Sequence, residues 1–322
     1  MRVILLRAVL CLCAMATSFA AVAADYPTRP VRVIVGLTAG SGVDVMARLV
    51  GAKLSDALGQ PFVIENRPGA GSNIATRFAA TQAPDGYTIF VATVANAINA
   101  TLYQKLQFDV LRDFSPVILA GTAPNILLVN PSVPAKTVKE FIELAKAHPG
   151  KFTMGSSGTG TSPQMTGELF KRRADINIVH VPYKGGPEAT TALLGGQIDS
   201  LFAITSTALP HLEAGKLRAL GVTSRQRTAL LPQVPTVAES GLPGFEAVTW
   251  FGFTVPTGTP REIVGRLNSE IGKVLAMPEI KQQLARQGID VGGGTPERFG
   301  VYMRDEFTKW GALVKETGMT AD

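Results

Sequence analysis

Cysteine is almost absent from this chain of 322 residues: there are two, Cys11 and Cys13, both near the N-terminus. Downstream of them there is no thiol for a disulfide framework, a thiolate nucleophile or a sulfur-ligated metal. Histidine is nearly as scarce. His148, His180 and His211 are far apart and form no H-E-x-x-H pair, so a structural or surface role is expected of each. The G-x-S-x-G elbow of a serine hydrolase is missing, and the Gly-rich run Gly155–Thr161 has no P-loop lysine. Gly69-Ala70-Gly71 begins like a dinucleotide fingerprint but lacks its third glycine. No basic tract exceeds Lys171-Arg172-Arg173, and no aromatics interleave with it. The net charge of +6 therefore reads as solubility and not as a nucleic-acid footprint. No catalytic constellation, cofactor or metal is expected.

What is present begins with a leader pattern. Arg2 and Arg7 form a positive stretch ahead of a short apolar run from Ala8 to Phe19, and the small residues Ala20 to Ala24 precede Asp25. Residues 1–24 thus read as a cleavable secretory signal peptide that carries off both cysteines. The run is too short to span a bilayer, which takes about 20 apolar residues. The remainder, in a chain 46% apolar and 17% charged, predicts an exported soluble protein of two domains, at roughly 100–200 residues per domain.

From Val31 onward β-branched runs alternate with helical patterns. Val31–Val35 reads as a strand, Val43, Ala47, Val50, Leu54 and Leu58 as one face of a helix ended by Gly59, and Phe62–Ile64 as the next strand. The alternation continues through Ile89–Val91, Ile126–Val129, Phe152–Met154, Ile178-Val179, Ser200–Phe202 and Leu217–Val222. It predicts an α/β protein with parallel sheets covered by helices. Helix starts are expected at Ser41-x-x-Asp44, Thr137-x-x-Glu140, Thr259-Pro260-x-Glu262 and Thr295-Pro296. The last opens a helix with Phe299, Met303, Phe307, Trp310 and Val314 on its core face. About nine such units exceed one sheet. Two extended apolar segments, Ala123–Asn130 and Val248–Pro256, are the expected crossings between lobes. One lobe would hold residues 25–123 plus 250–322 and the other 124–249, with a ligand cleft between them and the two crossing strands as hinge.

Ligands of open parallel sheets sit beyond the carboxyl ends of the strands, against the following helix N-termini. Four loops rich in Gly, Ser and Thr fall there: Gly36–Gly42, Pro68–Asn73, Gly155–Ser162 and Thr205–Thr207. Clustered backbone N–H groups and a helix N-terminus favour an anion, and hydroxyls add donors without a counter-charge. Any one of these loops reads equally as a tight turn or cap; four together point to a binding cleft.

Six runs carry a resemblance: Glu65–Gly71, Ala83–Thr88, Gly155–Thr161, His180–Gly185, Ala214–Leu220 and Val234–Glu239. In this order and spacing the chain resembles the substrate-binding proteins of tripartite tricarboxylate transporters, the Bug receptors, over essentially its whole length after the leader. The resemblance implies a periplasmic two-lobe binding protein of the Venus flytrap, type II-like kind, each lobe a sheet flanked by helices. It implies capture of a small organic carboxylate and its delivery to the membrane permease subunits. Carried over by position, Thr38, Ala39, Gly40 and Ser41 would face the ligand from the first lobe, with Gly71 on the neighbouring loop. Ser156, Ser157, Thr159, Gly160 and Thr161 would face it from the second. Thr93 to Asn96 and Thr205-Ser206 would flank it.

The departures concern the ligand. Where the family has a first loop of the type P-F-P-P-G-G, this chain has Gly36-Leu37-Thr38-Ala39-Gly40-Ser41. Gln164 stands where a histidine is common, and Ala203 marks the place where the family often has an aspartate to receive an ammonium group. An amino-acid ligand is therefore disfavoured. Presentation of two lobes to a permease implies a monomer. Two rival readings are a sensory receptor presenting its closed form to a membrane kinase, and a hydrolase using a loop serine. The hydrolase reading requires a base within hydrogen-bond reach of Ser156 or Ser157.

Overall fold

The β-branched alternation of Val31–Val35 forms the first strand of a computed structural model that describes residues 26–321; the expected leader lies outside the described residues. The chain runs β1 (Val31–Val35), α1 (Gly42–Leu58), β2 (Phe62–Asn66), α2 (Asn73–Ala80), β3 (Thr88–Thr93), α3 (Val94–Leu102), α4 (Val110–Asp113) and β4 (Phe114–Val129). It continues with α5 (Val138–Ala147), β5 (Thr153–Ser156), α6 (Ser162–Ala174), β6 (Val179–Pro182), α7 (Gly186–Leu194), β7 (Ser200–Ile204), α8 (Thr205–Glu213) and β8 (Arg218–Val222). The last elements are β9 (Val248–Pro256), α9 (Arg261–Ala276), α10 (Pro278–Arg286), β10 (Asp290–Gly293) and α11 (Pro296–Thr317).

Two lobes share one long strand. β2, β1 and β3 are parallel and continue through antiparallel β9 to the first part of β4. β6, β5 and β7 are parallel and join the last part of β4 antiparallel. The change comes between Pro124, opposite Val248, and Asn125, opposite Ile204. The sheets are thus mixed and not purely parallel as the alternation predicts. The reason is topological: β4 carries the chain out of one lobe and β9 brings it back, so these neighbours run in opposite directions. β4 also begins earlier than expected, its Pro116 tolerated beside a register shift in the pairing with β9.

The crossing is stitched by buried polar groups. Asn125 donates through Nδ2 to Ser162 Oγ at 3.1 Å and Thr166 Oγ1 at 3.0 Å, and its backbone N–H donates to Thr223 Oγ1 at 2.8 Å. Thr223 Oγ1 in turn donates to the Ala247 carbonyl at 2.6 Å, and Thr249 Oγ1 to Ser162 Oγ at 2.9 Å. One fully buried asparagine therefore ties both crossing segments to the start of α6.

The helix boundaries follow local chemistry. Gly59, at φ 69°, closes α1 in the left-handed region. At α5, Thr137 Oγ1 accepts from Glu140 N at 3.1 Å while the Glu140 carboxylate accepts from Lys136 N at 2.7 Å. Thr295 Oγ1 caps α11 by accepting from Arg298 N. At α9 the expectation fails: Pro260 keeps an extended ψ of 138°, the helix starts at Arg261, and Thr259 Oγ1 donates back to the Pro256 carbonyl. Phe299, Met303, Trp310 and Val314 of α11 are buried, whereas Phe307 is only partly so. No helix among the described residues is long and apolar enough to cross a membrane.

Candidate functional site

The carboxyl ends of β1, β2 and β3 lie side by side; the first two lead to buried hydroxyls with no hydrogen-bond partner among the described residues, Ser41 Oγ and Ser72 Oγ, while Thr93 after β3 forms a capping box with Asn96. Buried polar atoms are almost always satisfied, and of these hydroxyls only that of Ser41 belongs to a residue that lines a cleft. Beside Ser41 opens a cleft of about 560 Å³, within the usual range for small-molecule sites. Leu37 to Val43 line it from one lobe. Ser157, Pro163, Gly186, Pro187, Thr207 and Leu201 to Ile204 line it from the other. Ala123, Phe251, Gln287 and Ile289 complete the wall.

Which donors are free is decided by the hydrogen bonds inside the loops. Ser41 precedes α1 in an extended conformation, but its side chain makes no capping bond. Asp44 reaches back instead, accepting from Gly40 N at 2.8 Å, from Arg48 Nε at 3.0 Å and from Asn66 Nδ2 at 2.8 Å. Asn66 Nδ2 also donates to the Leu37 carbonyl at 3.0 Å. The expected Ser41-x-x-Asp44 box is therefore replaced by an aspartate clamp, and Gly40 N–H is spent on it. Ser41 N is likewise occupied by Thr38 O. The amides of Gly42 and Val43, in the first turn of α1, have no intrahelical acceptor. With Ser41 Oγ they are the donors of this loop that no described residue takes up.

Burial pushes the Asp44 carboxyl upward, yet Arg48, the Gly40 amide and Asn66 outweigh it and hold the group below the ordinary carboxylate range. A depressed carboxyl contributes stability above its unfolded pKa of about 4, lost as pH falls through the folded value. Asp44→Ala is expected to lower stability by about 2 kcal/mol through loss of charge-assisted hydrogen bonds. It is also expected to loosen the Leu37–Gly40 loop and weaken ligand binding. Thermal unfolding at neutral pH checks the first effect and calorimetric titration the second.

The third loop is also largely self-satisfied. Gly158 N approaches Ser156 Oγ at 3.3 Å, Gly160 N donates to Gln164 Oε1 at 2.7 Å, and Thr161 Oγ1 donates to the Gly158 carbonyl at 2.7 Å. Ser157 is the part of it that lines the cleft. Ser156 is wholly buried, with its Oγ 2.7 Å from His180 Nε2. Burial pushes the His180 pKa down, which favours the neutral ring at neutral pH.

Of the expected contact residues, Thr38, Ala39, Gly40, Ser41 and Ser157 line the cleft, while Ser156, Thr159, Gly160, Thr161 and Thr205 stand beside it and not on its wall. Gly160 packs on α3, where an added Cβ would come 2.8 Å from Leu102 Cδ2. Thr205 is buried with Oγ1 donating to Pro124 O, and its neighbour Thr207 takes the lining position. Ser206 belongs to the first turn of α8, its side chain outside what the structure describes. Thr93 and Asn96 belong to a buried polar cluster behind the first loop, and the exposed Gly71 sits at its edge. There Asn96 Oδ1 accepts from Thr93 N, Asn96 Nδ2 donates to Thr76 Oγ1, and Asn99 Nδ2 donates to the Gly71 carbonyl.

Sequence reasoning missed Gly186 and Pro187, although Gly185-Gly186-Pro187 ahead of a helix was a readable signal. It also missed Ala123, Phe251, Gln287 and Ile289, which no local pattern marks. Among the described residues no cluster of His, Cys, Asp or Glu is able to hold a metal ion.

Comparison with known proteins gives a consistent picture. Residues 46–319 match the family model described as the tripartite tricarboxylate transporter family receptor. A protein encoded in the tcbD-tcbE intergenic region of a Pseudomonas species is 36% identical over 298 residues, 92% of this chain and 89% of the relative. Protein BugT of Bordetella pertussis is 36% identical over 302 residues, 93% of each chain. Among solved structures, a protein of R. palustris with adipate is similar at a TM-score of 0.80 and 36% identity, covering 92% of this chain and 99% of that one. MatC of Rhodopseudomonas palustris with bound malate is similar at a TM-score of 0.77 and 32% identity, covering 90% and 100%.

Proposed function

The chain belongs to the tripartite tricarboxylate transporter receptor family, and from that premise we propose that it captures a small organic carboxylate in the cleft between its lobes and hands it to the permease of such a transporter. The observation that carries the reading is the seat at the start of α1. The free Ser41 hydroxyl and the Gly42 and Val43 amides face a cleft whose other side begins at Ser157 and at the N-termini of α7 and α8. Donors without a formal charge, backed by a helix N-terminus, suit a carboxylate. The adipate and malate in two relatives' structures support the same class of ligand.

In this reading the lobes divide at the two crossing segments, residues 25–123 plus 250–322 against 124–249, and contacts from both stabilise a closed form by population shift. Residues 1–24 direct the chain to the periplasm, where it acts as a monomer that the permease meets in its closed shape.

A hydrolytic reading has one feature in its favour, the Ser156–His180 hydrogen bond. Geometry speaks against it. Ser156 Oγ is buried away from the cleft wall and engaged with His180 and Gly158, so no substrate carbonyl reaches it. The pair is better suited to anchoring the start of the Ser157–Thr161 loop.

The test is thermal unfolding of refolded, ligand-stripped protein against a panel of carboxylates. A ligand at 100 times its dissociation constant adds about 2.7 kcal/mol, a shift of several degrees for a chain of this size. The ligand is expected to be recovered unchanged from the incubation. A folded protein that responds to no carboxylate overturns the reading, and conversion of the ligand revives hydrolysis.

A further inference from the structure

Polarity is graded across the cleft. On its more exposed side stand the polar side chains Thr38, Ser41, Ser157, Thr207 and Gln287, with Leu37 among them. Its buried wall is Val43, Ala123, Phe202, Phe251 and Ile289. Among the described residues no Lys, Arg, His, Asp or Glu lines it. The nearest acidic group in the first loop, Asp44, is 1% exposed and turned to Gly40, Arg48 and Asn66.

From this gradient we infer that the ligand is a one-headed acid: a single carboxylate at the polar rim and an uncharged, apolar aliphatic or aryl body against the wall. The inference deepens the carboxylate reading and rests on it. One anion is accommodated by the Ser41 hydroxyl and the Gly42 and Val43 amides. A second carboxylate at the far end of a body lying on that wall meets Ala123, Phe202, Phe251 and Ile289, where neither a cation nor a side-chain donor replaces its lost water, unless the chain turns across the cleft to Ser157 and Thr207. Charge buried without a partner is strongly unfavourable. An ammonium group fares no better, because the cleft presents no carboxylate to receive it. The apolar body gains from the same wall, by about fourfold in affinity for each methylene it buries.

Three ligands with the same six-carbon chain separate these terms: hexanoate, adipate with a second carboxylate, and norleucine with an added ammonium. Calorimetric titration of the full mature chain at pH 7.5 is expected to show hexanoate binding at least 30-fold tighter than either of the others. Octanoate is expected to bind tighter again, with a negative heat-capacity change. Adipate or norleucine binding as tightly as hexanoate overturns the one-headed assignment and leaves carboxylate capture standing. Silence from all three, with silence from the wider carboxylate panel, overturns both.

Discussion

Gly288→Ala is expected to weaken ligand binding by one to two orders of magnitude while the protein stays folded. Gly288 adopts φ +72°, and a Cβ there would lie 2.4 Å from Thr205 Cβ and 3.0 Å from its Cγ2 and Oγ1. Gln287 and Ile289 on either side of it line the cleft, as does Thr207, one half-turn beyond Thr205. The contact therefore joins the two lobes at the edge of the ligand site. A left-handed alanine costs roughly 1–2 kcal/mol in any state of the molecule. In the proposed closure the clash with Thr205 falls on the form in which the lobes meet. Affinity drops with the population of that form. Thr205→Gly in the Gly288→Ala background removes the obstructing Cβ and is expected to restore most of the affinity. Wild-type binding by the single variant would show that ligand capture does not need this contact.

Glu306→Ala carries the largest expected loss of stability. Glu306, on α11, is 6% exposed, and its Oε2 accepts from Trp250 Nε1 at 3.1 Å and Trp310 Nε1 at 2.8 Å. Its other oxygen accepts from Lys309. Both indoles are fully buried, Trp250 on β9 and Trp310 on α11. Removing the carboxylate leaves two buried N–H donors unsatisfied at about 1–3 kcal/mol each, and a cavity beside them adds to the cost. A loss of about 3–5 kcal/mol is expected, read as a fall in the denaturant midpoint with an unchanged slope. Glu306→Gln keeps one acceptor for the indoles and is expected to lose less than half as much. An effect below about 1 kcal/mol for the alanine variant would show that the indoles find other acceptors.

Much of this was legible in the residues. The β-branched runs, the capping Thr137 and Thr295, and the closing Gly59 announce elements whose local chemistry decides them. Of the four Gly- and hydroxyl-rich loops, Gly36–Gly42 lines one side of the cleft, Gly155–Ser162 and Thr205–Thr207 reach it through Ser157 and Thr207, and Pro68–Asn73 does not line it. What escaped has physical reasons too. The antiparallel relation of β4 and β9 follows from the chain's return between lobes, which no local pattern encodes. β4 was hidden before Ala123 because Pro116 reads as a break, and the register shift that excuses it is a property of the pair of strands. Gln287 and Ile289 reach the cleft only because β10 docks on β4 far away in sequence. Ser41 looked like a helix cap and is not one, because Asp44 competes for the same turn and holds Gly40.

The central claim, that a carboxylate sits between the α1 seat and Ser157, is tested most directly by a crystal structure with the best ligand of the panel. The account predicts carboxylate oxygens within about 3 Å of Ser41 Oγ and the Gly42 or Val43 amide, with the ligand's apolar end against Phe251 and Ile289. A ligand found instead in the groove between α9 and α11, lined by Arg261, Val301 and Arg304, with the Ser41 seat filled only by water, would contradict it.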